Sequence, residues 1–122
     1  KKEGASNFNI TSSSFPNSDP ISISVILEKI YYKQAVSKQF SEEMLNLLLA
    51  QKINDRIPKY LPLDVRVAHK TGELDETRND VGIVFGKKSD YVFVILSKTS
   101  SPQIAVENIA KLSQVMYEFL EN

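Results

Sequence analysis

Six consecutive apolar or aromatic residues, Tyr91–Leu96, constrain the fold of this chain more than any other feature. A half-exposed strand alternates apolar and polar residues, so this unbroken run predicts a strand that is covered on both faces. Such a strand normally has a neighbouring strand on each side. The segment Asp80–Phe85 and the polar turn Gly86–Asp90 come directly before it and predict an antiparallel hairpin, which supplies one neighbour.

The second neighbour of this strand is harder to find. No other segment of the sequence is an obvious partner, and a long apolar edge promotes aggregation. We therefore expect a strand from outside this sequence to pair with it. The alternative is that the final helix covers one face, two earlier helices cover the other, and the edge is merely short.

The remaining segments predict three helices and one more strand. Asp19 followed by Pro20 is typical of a helix start, and a second helix is predicted from Ser41 to a point before Pro58. A strand is predicted from Leu63 onwards. A final helix starts at Pro102, and its predicted apolar stripe comprises Ala105, Ile109, Leu112, Met116, Phe119 and Leu120.

These elements predict an α/β (α+β) fold with two helices, a three-stranded antiparallel sheet and a C-terminal helix. The chain is expected to form a single unit over residues 1–122. Its predicted parts are a loop at 1–20, a helical part at 21–56, and the sheet with the terminal helix at 63–122.

Composition excludes several classes of function. Fifteen basic and fifteen acidic residues leave no net charge, which argues against nucleic acid or an acidic membrane as the main partner. One histidine and no cysteine exclude a zinc finger, a thiolate nucleophile and a three-histidine metal centre. No apolar run is long enough to predict a membrane span. The chain begins with Lys1, from which we expect that an upstream segment has been removed.

The tripeptide Lys70-Thr71-Gly72 lies at the end of the first predicted strand. Lysine at a strand end offers a fixed cation, threonine offers a hydroxyl, and glycine lets a substrate approach the backbone closely. Lys70 and Thr71 are therefore candidate catalytic residues.

The segment around this tripeptide resembles the C-terminal part of class A serine β-lactamases, and more broadly the penicillin-recognising serine acyl enzymes. The resemblance is carried by Ile57-Pro58, Leu61-Pro62, Val67–Gly72 and Asp80–Val84, and by the order of the elements. It covers residues 17–121, and Gly4–Ile10 is a candidate match to the turn before the family's active-site loop.

The resemblance implies acyl transfer to a serine, with a β-lactam or a cell-wall peptide as substrate and without a cofactor or metal. It implies that Lys70 assists the site electrostatically and that Thr71 holds the substrate carboxylate. Gly72 and Glu73 are the implied substrate-binding residues, since Gly72 makes room and the Glu73 N–H is one oxyanion-hole donor. It also implies a location outside the cytoplasm, in a bacterial envelope or secreted.

Two motifs of that family are missing from these residues. No serine is followed by lysine three positions later, and there is no Ser-Asp-Asn. We therefore expect the nucleophile to lie on an N-terminal companion segment and this chain alone to be inactive. Val81 occupies the position where many class A enzymes have an arginine, and no Glu-x-x-Leu-Asn segment is present, which leaves slow penicillin binding open. The alternative function is a non-catalytic scaffold that binds penicillin or cell-wall peptide.

Other charged and polar residues carry weaker signals. His69 has no triad partners in the sequence and is interpreted as a packing or surface residue of the strand. Asp75, Glu76 and Arg78 are expected to be surface charges in a loop after the tripeptide.

Overall fold

The computed structural model describes residues 17–122, and the candidate match at Gly4–Ile10 lies outside this part of the chain. The predicted order of two helices, three strands and a final helix is confirmed. The elements are α1 (Pro20–Tyr31), α2 (Lys38–Leu49), β1 (Arg66–Leu74), β2 (Thr77–Phe85), β3 (Asp90–Lys98) and α3 (Pro102–Glu121).

The first helix starts where the sequence predicts. The Asp19 carboxylate accepts the Ser22 N–H at 2.8 Å, and Pro20 occupies the first helical turn, where a missing N–H costs nothing. Within residues 17–122, no helix is both long and apolar enough to cross a bilayer.

The second helix starts earlier than Ser41. Ser37 is its N-cap and accepts the Phe40 N–H at 3.1 Å. The Ser41 hydroxyl is buried and hydrogen-bonds the backbone of Ala35 and Ser37. Ser41 is therefore a residue within the first turn of the helix and not the start of it. The prediction was wrong because a serine hydroxyl near a helix start either caps the helix or bonds back to the preceding turn.

The helix ends at Leu49, before Pro58 as predicted, and residues 50–56 of the predicted helical part contain no helix. Residues 50–65 run over the sheet as a loop that is fastened to α3. The Ile57 carbonyl accepts the Ser113 hydroxyl at 2.9 Å, and the Tyr60 hydroxyl donates to Glu107 at 2.6 Å.

The sheet has the order β1-β2-β3, and both pairs are antiparallel. The predicted hairpin between β2 and β3 is confirmed. The predicted loop after the tripeptide is wrong, because β1 continues to Leu74 and β2 begins at Thr77, which leaves only Asp75 and Glu76 in the turn. Cross-strand pairing reaches the end of both strands, with Leu74 opposite Thr77.

Helices cover both faces of this sheet. Val67 and Ala68 are neighbours on β1, so their side chains point to opposite faces. Val67 belongs to the cluster on the face that α3 covers, which we call the α3 face. Its buried members are Ile57, Leu61, Val67, Val84, Ile109 and Tyr117. The α1/α2 face contains Leu27, Ala68 and Ile83.

The run Tyr91–Leu96 forms β3, and its residues are half-buried. Helix α1 packs against β3 on one side and α3 on the other, which confirms the expectation of two covered faces. Within residues 17–122, β2 is its single strand neighbour. The expected second neighbour stays a prediction.

Helix α3 buries a different stripe from the predicted one. Ile109 is buried as expected, but Leu112 and Phe119 are exposed. The face against the sheet is completed by smaller or polar residues, Ala110, Ser113 and Tyr117. Because α3 is apolar on two sides, hydrophobicity alone does not select the face that packs. The exposed side, which we call the outer stripe of α3, comprises Ile104, Leu112, Val115 and Phe119.

The end of α3 is tied to the hairpin. The Glu121 carboxylate accepts the N–H groups of Lys87 at 3.1 Å and Lys88 at 2.9 Å. These two donors lie in a turn where no strand partner satisfies them, so this contact fixes the turn between β2 and β3 against α3.

A pair of glycine substitutions tests the close contact between β1 and β2. A Cβ at Gly82 would lie 2.6 Å from the Ala68 carbonyl and 2.7 Å from the His69 Cβ, whereas a Cβ at Gly72 would meet Asn79 at an ordinary 3.5 Å. We expect Gly82→Ala to lower the free energy of unfolding by about 1–3 kcal/mol. Gly72→Ala should change it by less than about 0.5 kcal/mol. Urea unfolding measures both, and equal losses would contradict this packing.

Candidate functional site

The predicted site residues lie on β1, at the edge of the described sheet. Lys70 is exposed, and its ammonium donates to the Thr71 carbonyl at 2.5 Å. Thr71 is only 5% exposed. Because side chains alternate along a strand, Lys70 and Gly72 face the α1/α2 side, while Thr71 and Glu73 face the α3 side.

Glu73 is held by a buried arginine. The Arg56 guanidinium pairs with the Glu73 carboxylate and also approaches the Asn79 carbonyl at 3.5 Å. Arg56 is fully buried, whereas half of the Glu73 side chain is exposed. The hydrogen bond and charge of Arg56 lower the pKa of Glu73 below its ordinary value. The pair therefore holds the Arg56 guanidinium beside Glu73, which directly follows the tripeptide.

His69, directly before the tripeptide, is buried and hydrogen-bonded on both sides. Its Nδ1 lies 2.9 Å from Oδ1 of Asp80, and its Nε2 lies 3.1 Å from Oδ1 of Asn54. Asp80 is fully buried and its other oxygen accepts the Ile57 N–H at 3.0 Å. Both ring nitrogens of His69 therefore have a side-chain hydrogen-bond partner.

This arrangement offers hydrogen-bond donors and cations. Within the described residues 17–122, no group of three or more histidine, aspartate or glutamate side chains is placed to hold a metal ion. β1 presents the exposed Lys70 ammonium on the α1/α2 side, whereas the Thr71 hydroxyl is buried on the α3 side and Gly72 lies beside Asn79. An exposed ammonium can attract an anionic ligand or polarise a carbonyl group.

A family model described as the β-lactamase enzyme family matches residues 4–120 of the chain. The chain belongs to this family. The resemblance carried by the tripeptide and its flanking segments is thereby confirmed. No curated protein matches the chain significantly.

Solved β-lactamases have the same fold as this β-lactamase-family chain. The TLA-1 extended-spectrum β-lactamase matches with a TM-score of 0.77 and 24% identity, over 84% of this chain and 41% of its own. A class A β-lactamase from Bacteroides cellulosilyticus matches with a TM-score of 0.75 and 22% identity, over 85% and 42%. The structure called PBP-A matches with a TM-score of 0.78 and 22% identity, over 85% and 40%.

These matches confirm the predicted fold, including its relation to the β-lactamase architecture. The chain spans about two-fifths of the length of the solved proteins that it matches.

Four residues of the site in this β-lactamase-family chain were missed or misjudged from sequence. His69 has partners after all, Asp80 and Asn54, and Arg56 reaches the far end of the tripeptide. Asp80 is 11 positions from His69, so only the register of β1 and β2 shows that they meet. The signal that was available is Gly82, which lies opposite His69 and leaves space beside its side chain.

The Arg56–Glu73 pair predicts that the stability of the fold depends on pH. Because the folded-state pKa of Glu73 is below its ordinary value of 4.5, the pair stabilises the fold above about that pH. Its contribution is lost as pH falls through the lowered pKa. We expect Glu73→Gln to be less stable than the unmodified protein at pH 7, with the difference closing towards pH 3.

Urea midpoints measured from pH 7 to pH 3 test this expectation. Glu76→Gln is the matched control, because Glu76 lies in the neighbouring turn and its side chain is largely exposed at 3.9 Å from Lys98. Exposed pairs contribute little, so this variant should show a much smaller difference. A Glu73→Gln difference that stays constant over the whole pH range would contradict the pairing.

Proposed function

We propose that this chain is part of a serine acyl hydrolase that opens β-lactam rings, with the nucleophile outside residues 1–122. The observation that carries the proposal is the position of Lys70-Thr71-Gly72 on the outer strand β1 of a β-lactamase-family chain. A strand edge presents backbone N–H and C=O groups to a ligand, so a substrate can lie along it as an added strand.

In the proposed reaction a serine hydroxyl attacks the lactam carbonyl. The serine oxygen forms an ester with the carbonyl carbon, the ring C–N bond breaks, and the ring nitrogen receives a proton in place of the one that serine loses. Water then hydrolyses the ester and releases the opened product. Charge develops on the carbonyl oxygen in the transition states, and fixed hydrogen-bond donors stabilise it.

Each residue of the tripeptide has a role in this proposal. Lys70 supplies a positive charge beside the serine, and Thr71 donates its hydroxyl to the substrate carboxylate. Gly72 leaves the space in which the substrate lies, and the backbone N–H of Glu73 is one of the oxyanion-hole donors. The exposure of Lys70 supports the role of the lysine.

The nucleophile is proposed to reside on an N-terminal companion segment. No Ser-x-x-Lys occurs in the 122 residues, and the matched solved proteins are more than twice as long as the matched region. Two surfaces support the proposal that a further part of the domain packs against these residues. The outer stripe of α3 is apolar and exposed, and within residues 17–122 the outer edge of the half-buried strand β3 has no strand neighbour.

The proposed substrate also implies where the complete enzyme acts. The substrate is a β-lactam or a cell-wall peptide, so the protein is proposed to act outside the cytoplasm of a bacterium. Val81 in place of arginine favours a second candidate, a slow penicillin-binding protein of the same fold. The two differ in the lifetime of the acyl-enzyme, which is short for hydrolysis and long for penicillin binding.

Labelling with a fluorescent penicillin tests the proposal. We expect the protein at its natural length to form a covalent adduct and residues 1–122 alone to form none. Lys70→Ala should slow acylation by about 100-fold or more, because it removes a fixed charge from the reacting centre. Thr71→Ala should weaken acylation less.

The control is Lys52→Ala, which removes an exposed lysine from the loop that precedes β1. It should label like the unmodified protein. Labelling of the isolated 122 residues, or equal labelling rates for the Lys70 and Thr71 variants and the control, would contradict the proposed site.

A further inference from the structure

A short loop segment, Asn54–Ile57, contacts β1 on both sides of the tripeptide, and we call it the brace. Before the tripeptide, Asn54 Oδ1 lies 3.1 Å from His69 Nε2. After it, the Arg56 guanidinium pairs with Glu73. The three residues Lys70–Gly72 are therefore bracketed by two side-chain contacts from one loop.

The brace is itself held in place by buried hydrogen bonds. The Ile57 N–H donates to Asp80 Oδ2 at 3.0 Å, and the Ile57 carbonyl accepts the Ser113 hydroxyl at 2.9 Å. Arg56 and Ile57 are both fully buried. Buried polar groups that lose their partners are costly, so the brace cannot shift without breaking contacts to β2 and α3.

The contacts of the brace leave the face of the strand that carries Lys70 free. His69 and Glu73 point to the α3 face, where the brace lies, and Lys70 points to the opposite face. His69 is also held by Asp80, whose Oδ1 lies 2.9 Å from the His69 Nδ1. The brace thus holds the backbone of the tripeptide without occupying the space around Lys70.

We propose that the brace is a positioning device for the tripeptide and that Asn54 and His69 are its positioning residues. Asn54 fixes the His69 ring, the ring fixes the β1 backbone against β2, and this backbone sets the place of Lys70. The link to catalysis rests on the proposed function. Displacing a reacting group by about 1 Å costs on the order of 100-fold in rate, so a loosened strand edge slows acylation.

Three variants in one loop test this proposal in the protein at its natural length. Asn54→Ala removes the amide group that His69 Nε2 contacts, and Asn54→Gln keeps an amide that can accept or donate. Asn54 is exposed, so neither change should prevent folding. Lys52→Ala is the matched control, two positions away in the same loop. The measurements are backbone hydrogen exchange and the rate of acylation by a fluorescent penicillin.

We expect Asn54→Ala to speed hydrogen exchange at residues 69–73 by about fivefold to tenfold, as the loss of one hydrogen bond allows. Exchange in β3 should not change. Acylation should slow by about tenfold, at an unchanged melting temperature to within a few degrees. Asn54→Gln should restore part of both readouts, and Lys52→Ala should match the unmodified protein.

Unchanged exchange at residues 69–73, or an equal increase throughout the sheet, would overturn the proposal that the brace holds this part of β1. Faster local exchange with an unchanged acylation rate would overturn its role in the reaction. If the unmodified protein forms no adduct, the proposed function fails, and the exchange data alone still decide whether the brace holds the strand edge.

Discussion

The buried carboxylate of Asp80 is the group on which the rest of the structure depends. It is fully buried on β2, where one oxygen hydrogen-bonds to His69 on β1 and the other accepts the Ile57 N–H in the loop. A buried carboxylate without such donors is strongly unfavourable, and removing one partner of a buried pair costs about 3–5 kcal/mol. The need to satisfy Asp80 therefore fixes the register of two strands and the path of the loop over them. Gly82 is required for the same reason, because His69 occupies the space that a side chain there would need.

This constraint also connects the fold to the candidate site. The loop residues that reach Asp80 are continuous with those that reach the two ends of the tripeptide, His69 and Glu73. Catalysis by acyl transfer needs donors held at fixed positions, since reorganisation during the reaction would raise the barrier. The buried bonds are on the α3 face, where water is excluded, and the exposed lysine is on the other face. The buried bonds and the Lys70 ammonium thus lie on opposite sides of one strand, with Thr71 on the buried side.

Much of the fold could be predicted from local sequence signals. Asp19-Pro20 and Pro102 mark helix starts because their chemistry acts within one turn, and the apolar run Tyr91–Leu96 marks a strand whose faces are both covered. The tripeptide was found because its three residues are adjacent. What could not be predicted depends on distant pairing. His69 and Asp80 meet only through the strand register, Arg56 reaches Glu73 from the loop, and α3 presents one of two apolar faces to the sheet.

We propose that an acylated serine outside residues 1–122 faces Lys70-Thr71-Gly72. The most direct measurement is tandem mass spectrometry of peptides from the protein at its natural length after reaction with a penicillin. We expect an adduct on the serine of a Ser-x-x-Lys motif that lies outside residues 1–122. An adduct on a serine or threonine within these residues, or no adduct on any residue, would contradict it.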